Sequence, residues 1–321
     1  MPGTLIYLSN CAISADGRQN PFMMQELPWL MAHFDRVMMV SYYGVRTLMP
    51  GDERGERPFT AVRPGLAGLR ALLKTPFTAD VWRELKHMRR DGVLTPGNAL
   101  RLLAFTQRGL KMHYWTERLL RGVVEAHTTL YSCWMSFDGY AAALSKRKHP
   151  RVRCVIRGHA YDVDTERFAK NPYMMKRRIA AEADGLYLIS RTARAQFMSY
   201  MRGHVDERKV HVLAMGSSGM PVDHLREPPL YTQGVLRVVS CAMFNPIKQV
   251  DVLVRALSRW EGGPLCWTHI GAGAEEAKVR ALASELLDPK ENVICELLGE
   301  LDGAHVQRLY DTRPFDFSSI S

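Results

Sequence analysis

The sequence is short of several things, and each shortage removes a class. No apolar run approaches the ~18–20 residues that cross a bilayer as a helix. The opening, MPGTLIYLSN, has no basic region and too little apolar length for a secretory signal. The six cysteines, Cys11, Cys133, Cys154, Cys241, Cys266 and Cys295, form no CxxC pair. That argues against a zinc site and a disulfide framework, and predicts reduced, mostly buried thiols in a cytoplasmic protein. There is no GxSxG, no HExxH and no GxxxxGK[ST], so hydrolase elbows, zinc-protease helices and P-loops are not expected. Helix-turn-helix, ribonucleoprotein and zinc-finger signatures are also missing, which leaves no case for nucleic acid. With 24 Gly and 17 Pro in 321 residues, neither a collagen-like nor a low-complexity chain fits.

What is present is an ordinary globular composition, 46% hydrophobic and 24% charged, long enough for two domains. The charge is uneven. Up to Met220 there are 33 basic and 19 acidic residues; beyond it there are 10 and 14. Two parts of opposite sign read as domains with different partners, the basic one attracting phosphates. The boundary is expected at residues 216–233, GSSGMPVDHLREPPLYTQ, where Gly, Ser and Pro gather. That divides the chain into domains 1–220 and 234–321.

Short apolar runs alternate with segments of helix length. Strands are predicted at Leu5–Leu8, Arg36–Ser41, Thr129–Trp134, Val152–Ile156, Leu186–Ser190 and Val210–Met215. Four more follow at Leu236–Cys241, Leu265–Ile270, Val293–Leu298 and Phe315–Ser319. Such alternation predicts α/β domains with parallel sheets flanked by helices. Residues 51–63 read as a polar loop, and residues 66–126 as a helical insertion without a strand. From Arg70 to Arg121 that insertion holds 11 basic and 4 acidic residues with Leu, Trp, Phe and Met between them. Solvated basic faces are one reading. The other is a surface for an anionic membrane or a phosphorylated lipid, with Arg89, Arg90 and Lys111 as candidates.

Three segments carry chemistry. In Cys241-Ala-Met-Phe-Asn-Pro-Ile-Lys248 a strand ends, Asn245 suits an N-cap and Pro246 the first helical position. Lys248 is then expected in the first turn, where a cation opposes the helix dipole by roughly 0.3–1 kcal/mol. A bound diphosphate reverses that sign; a solvated lysine is the alternative. His269-Ile-Gly271-Ala-Gly273-Ala-Glu275-Glu276 follows a strand like a dinucleotide fingerprint. It lacks the third glycine, and two glutamates would repel a pyrophosphate, so a tight turn near a nucleotide fits better than NAD. Arg157-Gly-His159-Ala-Tyr-Asp162 follows Val152–Ile156 and falls at the mouth of a parallel sheet, where ligands bind. His159 could donate to a sugar hydroxyl or phosphate and Asp162 could orient it, or the histidine could cap a loop. Trp134 is expected to open onto the same edge, as substrate support or as core.

In order along the chain these segments resemble family 4 glycosyltransferases that build bacterial exopolysaccharide, capsule or O-antigen. Arg157–Asp162 is similar to their R-x-H-G-x-D loop, with Ala160 in the glycine place. Ala183–Ser190, Lys209–Gly216, Val238–Lys248 with its P-x-K, Gly271-Ala-Gly273, Asn292–Gly299 and Pro314–Ser321 fall in family order. The resemblance covers most of residues 130–321.

The resemblance implies a GT-B architecture of two Rossmann-like domains with a cleft between them. It implies transfer with retention from a nucleotide-diphosphate sugar to a lipid-linked or glycan acceptor. No cofactor or metal is implied. By carry-over His159 and Asp162 would be catalytic. Lys248, Asn245, Gly271, Gly273 and Arg157 would hold the donor, and Arg89, Arg90, Lys111 and Trp134 would face acceptor or membrane. The expected location is the cytoplasm, peripheral on the inner face of the plasma membrane. Two departures stand out. The family's arginine five residues before the lysine is Met243 here, for which Arg191 or Arg194 could substitute. The family's paired glutamates in an E-G-x-P context would come after Ser321, so the second domain reads as incomplete and the 321-residue chain as inactive. The competing classes are a non-catalytic nucleotide-sugar or anion-binding module and an NAD(P)-dependent oxidoreductase.

Overall fold

In the computed structural model, residues 3–11, 21–43, 59–61, 66–163, 174–216 and 234–319 are described. The chain divides into two units, Met1–Ser218 and Gly219–Ser321. Most of the expected 216–233 boundary lies outside the described residues.

The first unit begins with β1 (Thr4–Ser9), α1 (Pro21–His33), β2 (Arg36–Ser41) and β3 (Phe59–Ala61). The helical insertion follows: α2 (Leu66–Lys74), a 3-10 turn (Thr75–Phe77), α3 (Ala79–Arg90) and α4 (Pro96–Leu120). The unit then alternates through β4 (Thr128–Ser132), α5 (Phe137–Lys148), β5 (Arg153–Gly158), α6 (Ala160–Val163), α7 (Lys176–Glu182), β6 (Gly185–Leu188), α8 (Arg191–Tyr200) and β7 (Val210–Val212). The seven strands pair in the order β3-β2-β1-β4-β5-β6-β7, every pair parallel.

A parallel sheet needs cover on both faces, so its strands read as unbroken apolar runs. In β1, Leu5 and Tyr7 pack with Met23 and Leu27 of α1 on one face. Ile6 and Leu8 pack on the other with Leu102 and Met112 of α4 and Tyr140 of α5. Burying each of these side chains contributes roughly 1.5–3 kcal/mol. Thr95 starts α4, its hydroxyl accepting from the Asn98 N–H at 3.1 Å with Pro96 next in line. The insertion is helical as expected. The expected loop 51–63 contains β3, an edge strand of three residues too short to show a period.

The second unit holds β8 (Leu236–Cys241), α9 (Val250–Ser258), β9 (Leu265–Ile270), α10 (Glu276–Leu286), β10 (Val293–Leu297), α11 (Gly303–Thr312) and β11 (Phe317–Ser319). Its sheet is parallel, ordered β10-β9-β8-β11. Trp267 and Phe244 are fully buried at its centre, with Val254 of α9 and Val279 of α10 around them. The cysteines correct one expectation. All six are free, but only Cys133 and Cys154 are buried, and Cys241 is exposed. Cys241 is the last residue of β8, and Cys266 and Cys295 are half-buried within β9 and β10.

Candidate functional site

In the first unit the polar residues gather at the C-terminal ends of β4 and β5. Asp162 is the knot. Its Oδ2 accepts from the main-chain N–H of Met135, after β4, at 3.2 Å, and from that of His159, after β5, at 3.0 Å. One carboxylate therefore ties the two loops together, and Trp134 and His159 meet as stacked rings 4.2 Å apart. Sequence reasoning put both on one edge and gave Asp162 an orienting role; the bond it makes is to the backbone of His159.

His159 is buried, and desolvation pushes its pKa below the usual histidine value, so the ring is neutral. Its Nε2 lies 3.0 Å from the carbonyl oxygen of Cys133. A carbonyl only accepts, so Nε2 carries the proton and Nδ1 is the acceptor nitrogen. The expectation that His159 donates to a sugar hydroxyl is corrected to this extent: in this tautomer its N–H serves the main chain.

Three residues of this site escaped sequence reasoning. Lys176, the first residue of α7, is fully buried, 3.6 Å from Asp162 Oδ1, and donates to the carbonyl of Met135. Burial lowers its pKa while Asp162 opposes the shift. Asp138 is fully buried against Ser132 and the Gly139 N–H without a well-aligned hydrogen bond. Desolvation, with the Asp162 charge added, pushes it up to about 8. Glu26 of α1 accepts from Tyr7 Oη at 2.9 Å and Tyr131 Oη at 3.0 Å, and pairs with Arg157 at 3.0 Å. Arg157, expected at the donor, therefore has its guanidinium on Glu26. In the sequence Lys176 sits in a basic run, MMKRR, and Glu26 in a helix without period; nothing local marked either as buried or paired.

The second unit builds its loops from backbone. Gly271 has φ +148°, and a Cβ there would lie 2.0 Å from the carbonyl oxygen of Ala242. A Cβ on Gly273 would lie 2.4 Å from that of Phe244. The two glycines let the loop after β9 press on the loop after β8, closed by Ala242 N–H to Ile270 O at 2.9 Å and Glu275 N–H to Phe244 O at 3.0 Å. Asn245 does cap: its Oδ1 accepts from the Lys248 N–H at 3.0 Å. What it caps is a separate turn. Helix α9 starts only at Val250, after Gln249 in the left-handed region at φ 50°. Lys248 is thus a half-buried residue of the turn before the helix, not of its first turn, and Met243, five residues earlier, is 62% exposed. Glu275 and Glu276 pair with Lys278 and Arg280 of their own helix at 3.2 and 2.8 Å.

The residues expected to face acceptor or membrane lie on different elements. Arg89 and Arg90 are exposed at the C-terminal end of α3, where cations also favour the helix dipole. Lys111 is half-buried on α4 with Nζ 5.0 Å from the centre of the Tyr42 ring. Trp134 is on His159. Of the proposed substitutes for the missing arginine, Arg194 donates to the carbonyl of Val210 at 3.1 Å and Arg191 is exposed at the start of α8.

No family model matches the chain, and no curated protein sequence matches it. Solved structures do. A Burkholderia multivorans trehalose 6-phosphate synthase aligns over 100% of this chain and 77% of its own, with a TM-score of 0.61 and 12% identity. The lipopolysaccharide outer core galactosyltransferase WaaB aligns over 96% and 71%, at 0.57 and 14%. Anabaena HepE, solved with UDP and glucose, aligns over 93% and 70%, at 0.53 and 13%. These are GT-B glycosyltransferases, and likeness at such identities speaks for architecture alone. The chain has the GT-B fold, with parallel sheets flanked by helices.

Proposed function

We propose that this chain binds a nucleotide-diphosphate sugar and serves its transfer, with retention, to a membrane-associated, lipid-linked glycan in bacterial surface polysaccharide synthesis. The observation that carries the reading is a pair of loop sets at strand C-termini in a GT-B fold. One set bears the buried imidazole of His159 and the other the Asn245-capped turn of Lys248, with the glycine loop pressed on the segment before it. Such a reaction breaks the bond from the anomeric carbon to the diphosphate and forms one to an acceptor oxygen, whose proton leaves with the diphosphate.

Lys248 neutralises the charge that grows on the leaving diphosphate, an electrostatic contribution with no metal required. Asn245 holds the turn that presents it; Gly271 and Gly273 let the neighbouring loop approach. His159 contacts the donor sugar. Asp162 fixes His159, and Arg157 braces the same edge through Glu26. Arg89, Arg90, Lys111 and Trp134 belong to the acceptor side. The setting is the inner face of the plasma membrane, bound peripherally; among the described residues no helix is long and apolar enough to cross a membrane.

Thermal-shift titration tests this. UDP- and GDP-sugars are expected to raise the midpoint of the wild type, and Lys248→Ala and His159→Ala to weaken the shift of the best ligand. Stabilisation by NAD or NADP instead of a sugar nucleotide, or indifference to both substitutions, would overturn the assignment. The exposed Met243 favours a second reading, a binding module without catalysis. It predicts nucleotide-sugar binding with neither transfer nor donor hydrolysis.

A further inference from the structure

Helix α2 is built inside out. Its small residues face the protein: Ala71 is fully buried, and Gly68 lies against Lys111 of α4, on which α2 packs. Its leucines face away. Leu66 is 85% exposed, and Leu69, Leu72 and Leu73 are more than half exposed. Leu66, Leu69 and Leu73 form one open face of the helix together with Arg70 and Lys74. The stripe continues past the helix. Phe77 in the 3-10 turn is 78% exposed. Trp82 on α3 is 64% exposed, and its indole N–H donates to the Pro76 carbonyl at 2.9 Å, so the ring stands outward with its polar atom satisfied. Contiguous exposed apolar surface of this kind marks an interaction site.

Charge selects the partner. From Leu66 to Arg90 the basic residues Arg70, Lys74, Arg83, Lys86, Arg89 and Arg90 are all exposed. The only acids in that span, Asp80 and Glu84, are buried. A second copy docking by the same face would set cation against cation. A surface with anions at the rim and hydrocarbon beneath satisfies both parts.

We propose that the ridge of α2, the 3-10 turn and α3 docks into an anionic bilayer. Its leucines and two aromatic rings sit at the headgroup–acyl boundary, about 5–10 Å deep, and its cations lie on lipid phosphates. This rests on, and sharpens, the membrane part of the function proposed above; the basic charge alone would give only adsorption.

The test is flotation of the 321-residue protein with phosphatidylcholine vesicles, with and without phosphatidylglycerol, beside donor thermal shift on the same samples. The wild type should float only with the anionic vesicles, and less so in high salt. Leu69→Glu/Leu73→Glu should lower vesicle affinity by at least about tenfold, and Trp82→Phe should remove quenching by lipid brominated near the headgroup. Donor shifts should be unchanged in both. Wild-type flotation unaffected by the leucine changes overturns the proposal, as does equal binding to neutral vesicles. So does a fall in thermal midpoint with Leu69→Ser, which would mean that the protein itself covers the stripe, or a shift from dimer to monomer in sedimentation velocity with the leucine variants. Lost donor binding with vesicle binding intact would instead sink the sugar-nucleotide reading alone.

Discussion

The two units position their candidate groups by different physical means. In the first, side chains do it: one buried carboxylate, Asp162, holds two loop N–H groups and is matched by a buried lysine. In the second, main chain does it: loop lies on loop because Gly271 and Gly273 offer no Cβ. The first arrangement is exposed to loss of a charge partner, the second to gain of a methyl group. Ion pairing in the dry interior is strong only when complete, whereas close backbone packing is indifferent to charge.

The largest expected effect follows from the first arrangement. Lys176→Met leaves Asp162 buried without its cation and should cost about 3–5 kcal/mol in urea unfolding. Adding Asp162→Asn should recover part of that loss. Gly271→Ala should cost about 3 kcal/mol, from a left-handed backbone and the clash with Ala242, and act on the second unit only. If it weakened the first unit's transition equally, the contrast between the units would fail.

A smaller effect is pH-dependent. Asp138, held at about 8 in the folded protein, keeps a proton that the unfolded chain gives up near pH 4. Its contribution is therefore full below about pH 4 and declines as pH rises, being lost through about pH 8. Asp138→Asn should gain on the wild type between pH 5 and pH 9 in urea titrations. His113, pushed down to about 4 by burial, has the opposite sign. Its share is lost as pH falls from about 6.5 through 4, and His113→Gln should flatten the acid side of the same curves.

The smallest effect on stability belongs to Lys248→Ala, expected within about 0.5 kcal/mol because the turn is held by Asn245 and backbone. Loss of several kcal/mol there would show that the second unit also depends on a side-chain charge.

How much was legible beforehand differs between elements and loops. Arg36–Ser41, Leu236–Cys241 and Leu265–Ile270 were read to the residue, because short runs rich in Val, Met, Leu and Trp mark strands between the segments of helix length and the Gly-rich turns around them. β3 was missed because three edge residues carry no period. Asn245 and Pro246 were read correctly as capping chemistry and wrongly as the start of α9, since the same residues close a single turn as well as a helix. Lys176 was invisible: a lysine in a basic run looks solvated until the fold places Asp162 beside it.

Apolar spacing, capping residues and glycine positions are local properties, so the sequence by itself determined the α/β alternation, the all-helical insertion and the loops that carry His159, Lys248 and the two glycines. Which charges are buried, which nitrogen of His159 holds the proton and which face of α2 turns outward depend on partners tens of residues away. Glu26 and Arg157 are 131 residues apart. Only tertiary structure decides such matters, because desolvation and pairing act through space and leave no trace in a local pattern.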